Sequence, residues 1–345
     1  MSLKFPYRFA VAMYSEDGTN LGTVLAKHDF EPAFEWARFY FQRRGQLGLD
    51  ANQAISTVTP LWEHTLGEPY CRGYRIQIDA PGLRPVASDF PVTHFREYAA
   101  TVASRFVEQE RLRAGDFYSY LLVAHPAPQS ATEADGLSVT NASPNVPARE
   151  AVLQDYLDRA TPSGVIDQDD MPVFVSRSVL AQAEERTHAE QGTETGGILI
   201  GMLWRDSKIG EIFAEITAQI PAEHTSGTNV KLTFTAQTWA AAAAALRLRN
   251  RGEVFLGYWH SHPVREWCKG KSCTLEAQKS CHLAKDFFSA DDDAVMRAAF
   301  PRAYSVAIVA NDTAFTDLTF SMFGNREGTT QPRGFYVLEE RPNGS

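Results

Sequence analysis

Two histidines separated by one residue close an apolar stretch, Val254-Phe255-Leu256-Gly257-Tyr258-Trp259-His260-Ser261-His262-Pro263. Its β-branched and aromatic residues, stopped by a proline that donates no backbone hydrogen bond, read as a buried strand. Side chains at i and i+2 of an extended chain point the same way, so His260 and His262 offer two imidazoles to one place. Neutral imidazole is a metal ligand, and a carboxylate from another segment makes a third. Asp292, in Ser289-Ala290-Asp291-Asp292, is the candidate. Three nitrogen and oxygen ligands leave a position open for water, the layout of a catalytic zinc rather than a structural one. A second acid is then needed to take a proton from that water. Glu194 stands just before Gly196-Gly197-Ile198-Leu199-Ile200-Gly201, an apolar strand where packing gives little reason for a charge.

In chain order these features are an acid before a Gly-Gly strand, a strand ending His-Ser-His-Pro, and Ser-x-x-Asp. Together they resemble the JAMM/MPN metalloprotease family, in particular its bacterial-type branch with the Gly-Tyr-Trp-His-Ser-His-Pro strand. The resemblance runs from near Met171 to near Leu338. It implies a mixed, twisted sheet flanked by helices. It implies Zn2+ held by His260, His262 and Asp292, with Glu194 as the general base and Ser289 as a hydroxyl that stabilises the tetrahedral oxyanion. A helix N-cap explains Ser289 as well, and the two roles are compatible. Ser261 reads as a spacer, since no base is placed by sequence to activate it.

The activity implied is that of a deubiquitinase-like isopeptidase or peptidase, cutting after the C-terminal tail of a ubiquitin-like protein or its conjugates. Such a tail is extended, so strand addition beside the metal groove is the expected binding mode. E1-like and E2-like enzymes are the partners implied, as in bacterial antiphage conjugation systems. One alternative is a processing protease for a ubiquitin-like sulfur carrier. Another is a non-catalytic MPN scaffold, which would normally lack some of the five site residues present here.

The chain departs from the family between His262 and Asp292, where the usual loop is much shorter. The excess holds Cys268, Cys273, Cys281 and His282. Their residue types match a structural Cys₃His zinc set, although adjacent Cys281 and His282 would need a bent backbone to share one ion. A loop with reduced thiols is the competing expectation. The insertion also leaves Asp291 and Asp293 as alternative ligands. The Ser289-x-x-Asp292 frame favours Asp292, because one helical turn brings both side chains to one side.

The remaining sequence sets the frame. The chain has 345 residues, 44% hydrophobic and 22% charged, enough for two domains with packed cores. A net charge of −9 argues against nucleic-acid binding through a broad basic face. No apolar stretch reaches the length of a membrane span, no signal peptide is visible at Met1–Arg8, and the four cysteines do not form a secreted framework; a cytoplasmic protein is expected. The fold class expected is α/β in the α+β sense: an α+β domain over 1–125, a linker over 126–165 with a short helix near Ala148–Ala160, and the JAMM/MPN-like domain over 166–345. In the first domain, strands are expected at Tyr7–Tyr14, Leu21–Ala26, Gly73–Ile78 and Phe117–Val123, and helices at Glu31–Arg44 and Phe95–Arg113. Its aromatic helix, with Phe34, Trp36, Phe39, Tyr40 and Phe41, reads as core rather than as a binding platform.

Overall fold

The computed structural model describes residues 2–50, 54–64, 69–128, 145–190, 192–222, 234–271, 274, 276–277, 281, 287–313 and 318–339. The chain is mixed α+β and separates into two compact units, residues 1–145 and 146–345.

In the first unit, alternating and apolar stretches form a seven-stranded sheet among the described residues. Its strands are β1 (Ser2–Lys4), β2 (Tyr7–Ser15), β3 (Asn20–Leu25), β4 (Ile55–Glu63), β5 (Tyr70–Asp79), β6 (Val86–Pro91) and β7 (Tyr118–Pro126). The order is β1-β4-β5-β7-β2-β3, with β6 beside β5. Helix α1 (Glu31–Arg43) has Pro32 in its first turn and buries Phe34, Ala37 and Phe41, an i, i+3, i+7 stripe. Helix α2 (Arg96–Glu108) buries Ala99, Val102, Ala103 and Phe106. Both stripes join one core with Val11, Met13, Val58, Ile76 and Ile78, so the aromatic helix is core, as its spacing implies. The second helix is shorter than its apolar pattern suggests, because Glu110 takes a left-handed backbone conformation (φ 57°).

In the second unit, β8 (Ala148–Glu150), helix α3 (Leu153–Leu157) and β9 (Ala160–Ser163) come first. They correct the expected linker. Part of 126–165 is structured, and the helix read over 148–160 is one short turn of helix between two strands. Strand β8 pairs with the long strand below, and Leu153 and Tyr156 enter a core with Phe174, Phe213 and Leu338. The tertiary sheet overrides the local helical spacing. Residues 129–144 lie outside the described residues.

The other strands are β10 (Val173–Ser176), β11 (Gly196–Asp206), β12 (Glu211–Pro221), β13 (Val254–His262), β14 (Val306–Asn311), β15 (Thr319–Arg326), β16 (Thr329–Arg333) and β17 (Phe335–Leu338). Their order is β16-β15-β14-β13-β11-β12-β10-β17-β9, with parallel and antiparallel pairs mixed. Only Gly334 separates β16, at one end of this order, from β17 near the other, so the sheet coils strongly on itself. Helices α4 (Arg177–Ala189), α5 (Ala236–Arg249), α6 (Val264–Trp267) and α7 (Ala290–Ala299) flank it. Central strands β11, β13 and β14 are buried almost throughout, which is why they read as continuous apolar runs. Strands β13 and β14 approach so closely that a Cβ on Gly257 would lie 1.7 Å from the Val306 carbonyl oxygen. Among the described residues, no helix is long and apolar enough to cross a membrane.

Candidate metal centre

Strand β13 carries the histidine pair at its C-terminal end, and Pro263 stops it there. Both imidazoles are buried, and their Nε2 atoms face each other at 3.0 Å. Asp292 Oδ1 stands 3.2 Å from His260 Nε2, and its Oδ2 stands 3.9 Å from His262 Nε2. One ligand atom from each of the three residues lies within 4.8 Å of the others, so the group could hold a metal ion.

The carboxylate arrives through a helix start. Ser289 is the N-cap of α7 and Asp292 its third residue, and the two form a capping box. The Ser289 N–H and Oγ–H both donate to Asp292 Oδ2, at 2.8 and 2.7 Å, while the Asp292 N–H donates to Ser289 Oγ at 3.1 Å. Oδ2 is thus held by the cap, which leaves Oδ1 turned toward His260. The neighbouring acids face elsewhere. Asp293 is engaged by Thr330 and Arg297, and Asp291 is exposed, so Asp292 is the acid that meets the histidines.

Glu194 is buried one residue before a two-point clamp. Gly196 of β11 pairs with His260 in antiparallel register. Upstream of it, the Thr195 N–H donates to Ser261 Oγ at 3.0 Å, and the Ser261 N–H donates to the Thr195 carbonyl at 2.8 Å. Ser261 is therefore more than a spacer: its hydroxyl takes a place in the ladder that a backbone carbonyl would otherwise fill. A Cβ on Gly197 would meet Gln219 Oε1, the Ile220 carbonyl and Trp259 Nε1, all within 2.7 Å, so the glycine there lets β11 lie this close to its neighbours.

The ionisation states follow from burial and neighbours. Burial pushes His262 down to about 3, helped by repulsion from His260, while Asp292 and the neighbouring Asn311 side chain act the other way. His262 is consequently neutral, as a ligand must be. Burial alone would raise the Asp292 carboxyl. The hydrogen bond and charge of His260, with the two Ser289 donors, outweigh it and hold the group well below the usual carboxylate range. Tyr258, two residues before His260, stacks on that imidazole with centroids 5.4 Å apart and donates its phenol to the Asp292 carbonyl at 3.1 Å. Burial raises its pKa well above normal, and the charges of Asp292, Asp293 and Glu194 add to this.

Some residues around the centre escape a sequence reading. Tyr258 shares a strand face with the histidines, and that i, i+2 relation was its available signal. Trp267 and Phe287 flank the His262 ring at 5.2 and 5.5 Å. Trp267 ends α6 and Phe287 lies beyond the cysteines, and nothing local marks either. Cys268 and Cys281 are free and half-buried, whereas Cys273 and His282 lie outside the described residues, as does the proposed Cys₃His set as a whole.

No family model matches the chain, and no curated protein matches it. Among solved structures, the chain is similar to the solution structure of protein DSY2949 from Desulfitobacterium hafniense, at 16% identity over 49% of this chain and 94% of that one, with a TM-score of 0.35. A likeness this distant carries no argument about function.

Proposed function

We propose that the chain is a zinc-dependent peptidase or isopeptidase of the JAMM/MPN type that cuts after the C-terminal tail of a ubiquitin-like protein. The observation that carries the reading is the convergence of His260 Nε2, His262 Nε2 and Asp292 Oδ1. Two imidazoles and a carboxylate are a zinc donor set, and ligands about 2.0–2.1 Å from a tetrahedral ion stand roughly 3.3 Å apart, close to the 3.0 Å between the two nitrogens. The protonation states agree, with His262 neutral and Asp292 ionised at pH 7.

Zinc held there would supply an activated water at neutral pH and polarise the substrate carbonyl. Glu194 takes the proton from the attacking water and hands one to the departing nitrogen. Ser289 first holds Asp292; its hydroxyl then turns from Oδ2 to the oxygen on which negative charge grows. The substrate class rests on the family resemblance of these five residues.

The test is metal analysis of purified protein, combined with cleavage of ubiquitin-like fusions offered as linear extensions and as lysine conjugates, with and without chelator. We expect about one zinc per chain at this centre, lost in the double variant His260→Ala/His262→Ala, and cleavage that chelator abolishes. Unchanged metal content in that variant would overturn the assignment.

A further inference from the structure

We infer that Asn311 is a positioning residue for His262: its carboxamide oxygen accepts the Nδ1–H of the imidazole, so that the Nε2 lone pair faces the ion. The inference rests on the zinc reading above but concerns a residue outside the ligand set. Parallel pairing of β13 and β14 sets His262 directly beside Asn311, on the same face. Asn311 is 2% exposed. Its Nδ2 donates to Ser321 Oγ of β15 at 3.2 Å, which leaves Oδ1 for the histidine. Both Asn311 Oδ1 and His262 Nδ1 are buried, and neither has a partner within ordinary hydrogen-bond geometry among the described residues. One donor and one acceptor, each costly to leave unmade, therefore stand side by side, and a single bond satisfies both.

The opposite amide orientation has a chemical consequence. An NH₂ offered to Nδ1 would make that nitrogen an acceptor and leave the proton on Nε2. That proton would then point at His260 Nε2, 3.0 Å away, and exclude an ion. Asn311, by presenting its oxygen, thus selects the tautomer that binds metal, the task that partners of a ligating imidazole perform.

The experiment is zinc competition with a chromophoric chelator, using wild-type, Asn311→Leu and Asn311→Asp proteins, each checked for an unchanged circular dichroism spectrum. Asn311→Leu removes the acceptor, and we expect zinc affinity to fall about 10- to 100-fold. Asn311→Asp keeps an acceptor that cannot flip, and should recover most of that affinity. Nitrogen-15 spectra of the zinc-bound wild type should show the proton on His262 Nδ1. Affinity within twofold of wild type in folded Asn311→Leu overturns the inference, as does an equal loss in both variants. If Asn311→Leu does not fold, the Asn311→Asp affinity and the wild-type tautomer decide. A wild-type chain that takes up no zinc would instead overturn the reading of the centre itself.

Discussion

His94 in the first unit and His262 in the second are both histidines whose charged form burial opposes. Their surroundings divide them. His94 Nδ1 meets the Tyr74 hydroxyl at 2.9 Å, and its ring packs against Phe90 and Tyr74. That is a closed arrangement: a neutral imidazole accepts from a phenol, and nothing further is required. His262 instead turns Nε2 toward a second imidazole, with a carboxylate beside them, and its Nδ1 has no partner in ordinary hydrogen-bond geometry among the described residues. With the proton on Nδ1 in each, the two rings would turn two lone pairs toward one place beside a carboxylate, an arrangement suited to a cation. Burial and a lowered pKa are common to both histidines. What distinguishes His262 is a ring whose Nε2 meets a second imidazole and a carboxylate rather than a single hydroxyl.

The largest expected effect sharpens this contrast. Glu194→Gln keeps the shape of the side chain but removes its capacity to accept a proton. Turnover on a cleavable ubiquitin-like substrate should fall about 10²–10⁴-fold, with zinc content unchanged. Near wild-type turnover would remove Glu194 from the chemistry and leave the open histidine pair without a base. Ser289→Ala follows. It breaks the capping box of α7, which should cost about 0.5–2 kcal/mol in a denaturant titration. It also removes an oxyanion donor, for which a loss of about 10²–10³-fold in kcat is expected. Ser289→Thr keeps the hydroxyl and should restore most of both. A stability loss with kcat within threefold of wild type would reduce Ser289 to a cap alone.

The three residues that the structure brings together, and the Ser289 cap on one of them, were legible because each sits in a short segment whose local geometry aims it. His260 and His262 share a strand face, Ser289 and Asp292 share the first turn of a helix, and Glu194 opens an apolar strand. Strands buried on both faces also announced themselves as apolar runs. Other parts had no local mark. Strand β4, Ile55-Ser-Thr-Val-Thr-Pro-Leu-Trp-Glu63, carries polar residues and a proline in its middle, and it is a strand because β5 pairs along its length. Residues 148–163 have apolar positions at helical spacing, yet β8 and β9 find partners in β11 and β17. Asn311 lies far along the chain from His262, and only the parallel register of β13 and β14 brings them together. Pairing between distant segments decides each of these, and a window of ten or fifteen residues does not contain it.

The smallest expected effect tests the closed member of the comparison. Burial lowers the pKa of His94 below its ordinary 6.5. Burial likewise keeps the Tyr74 phenol protonated, so it remains the donor and His94 Nδ1 the acceptor. The folded state therefore favours neutral His94, whereas the unfolded chain takes up a proton near pH 6.5. The contribution to stability is fully present above that pH. It is lost as pH falls through the lower folded value, because the folded state must then either accept the proton against burial or give way to the unfolded chain. His94→Gln retains an acceptor and does not titrate, so its stability should vary less than wild type between pH 7 and pH 5, with zinc content and turnover unchanged. A proton NMR titration reads His94 itself and should give a midpoint below 6.5. A midpoint at or above that value would mean that the charged imidazole is accommodated, and the contrast between a closed histidine and an open pair would lose its first half.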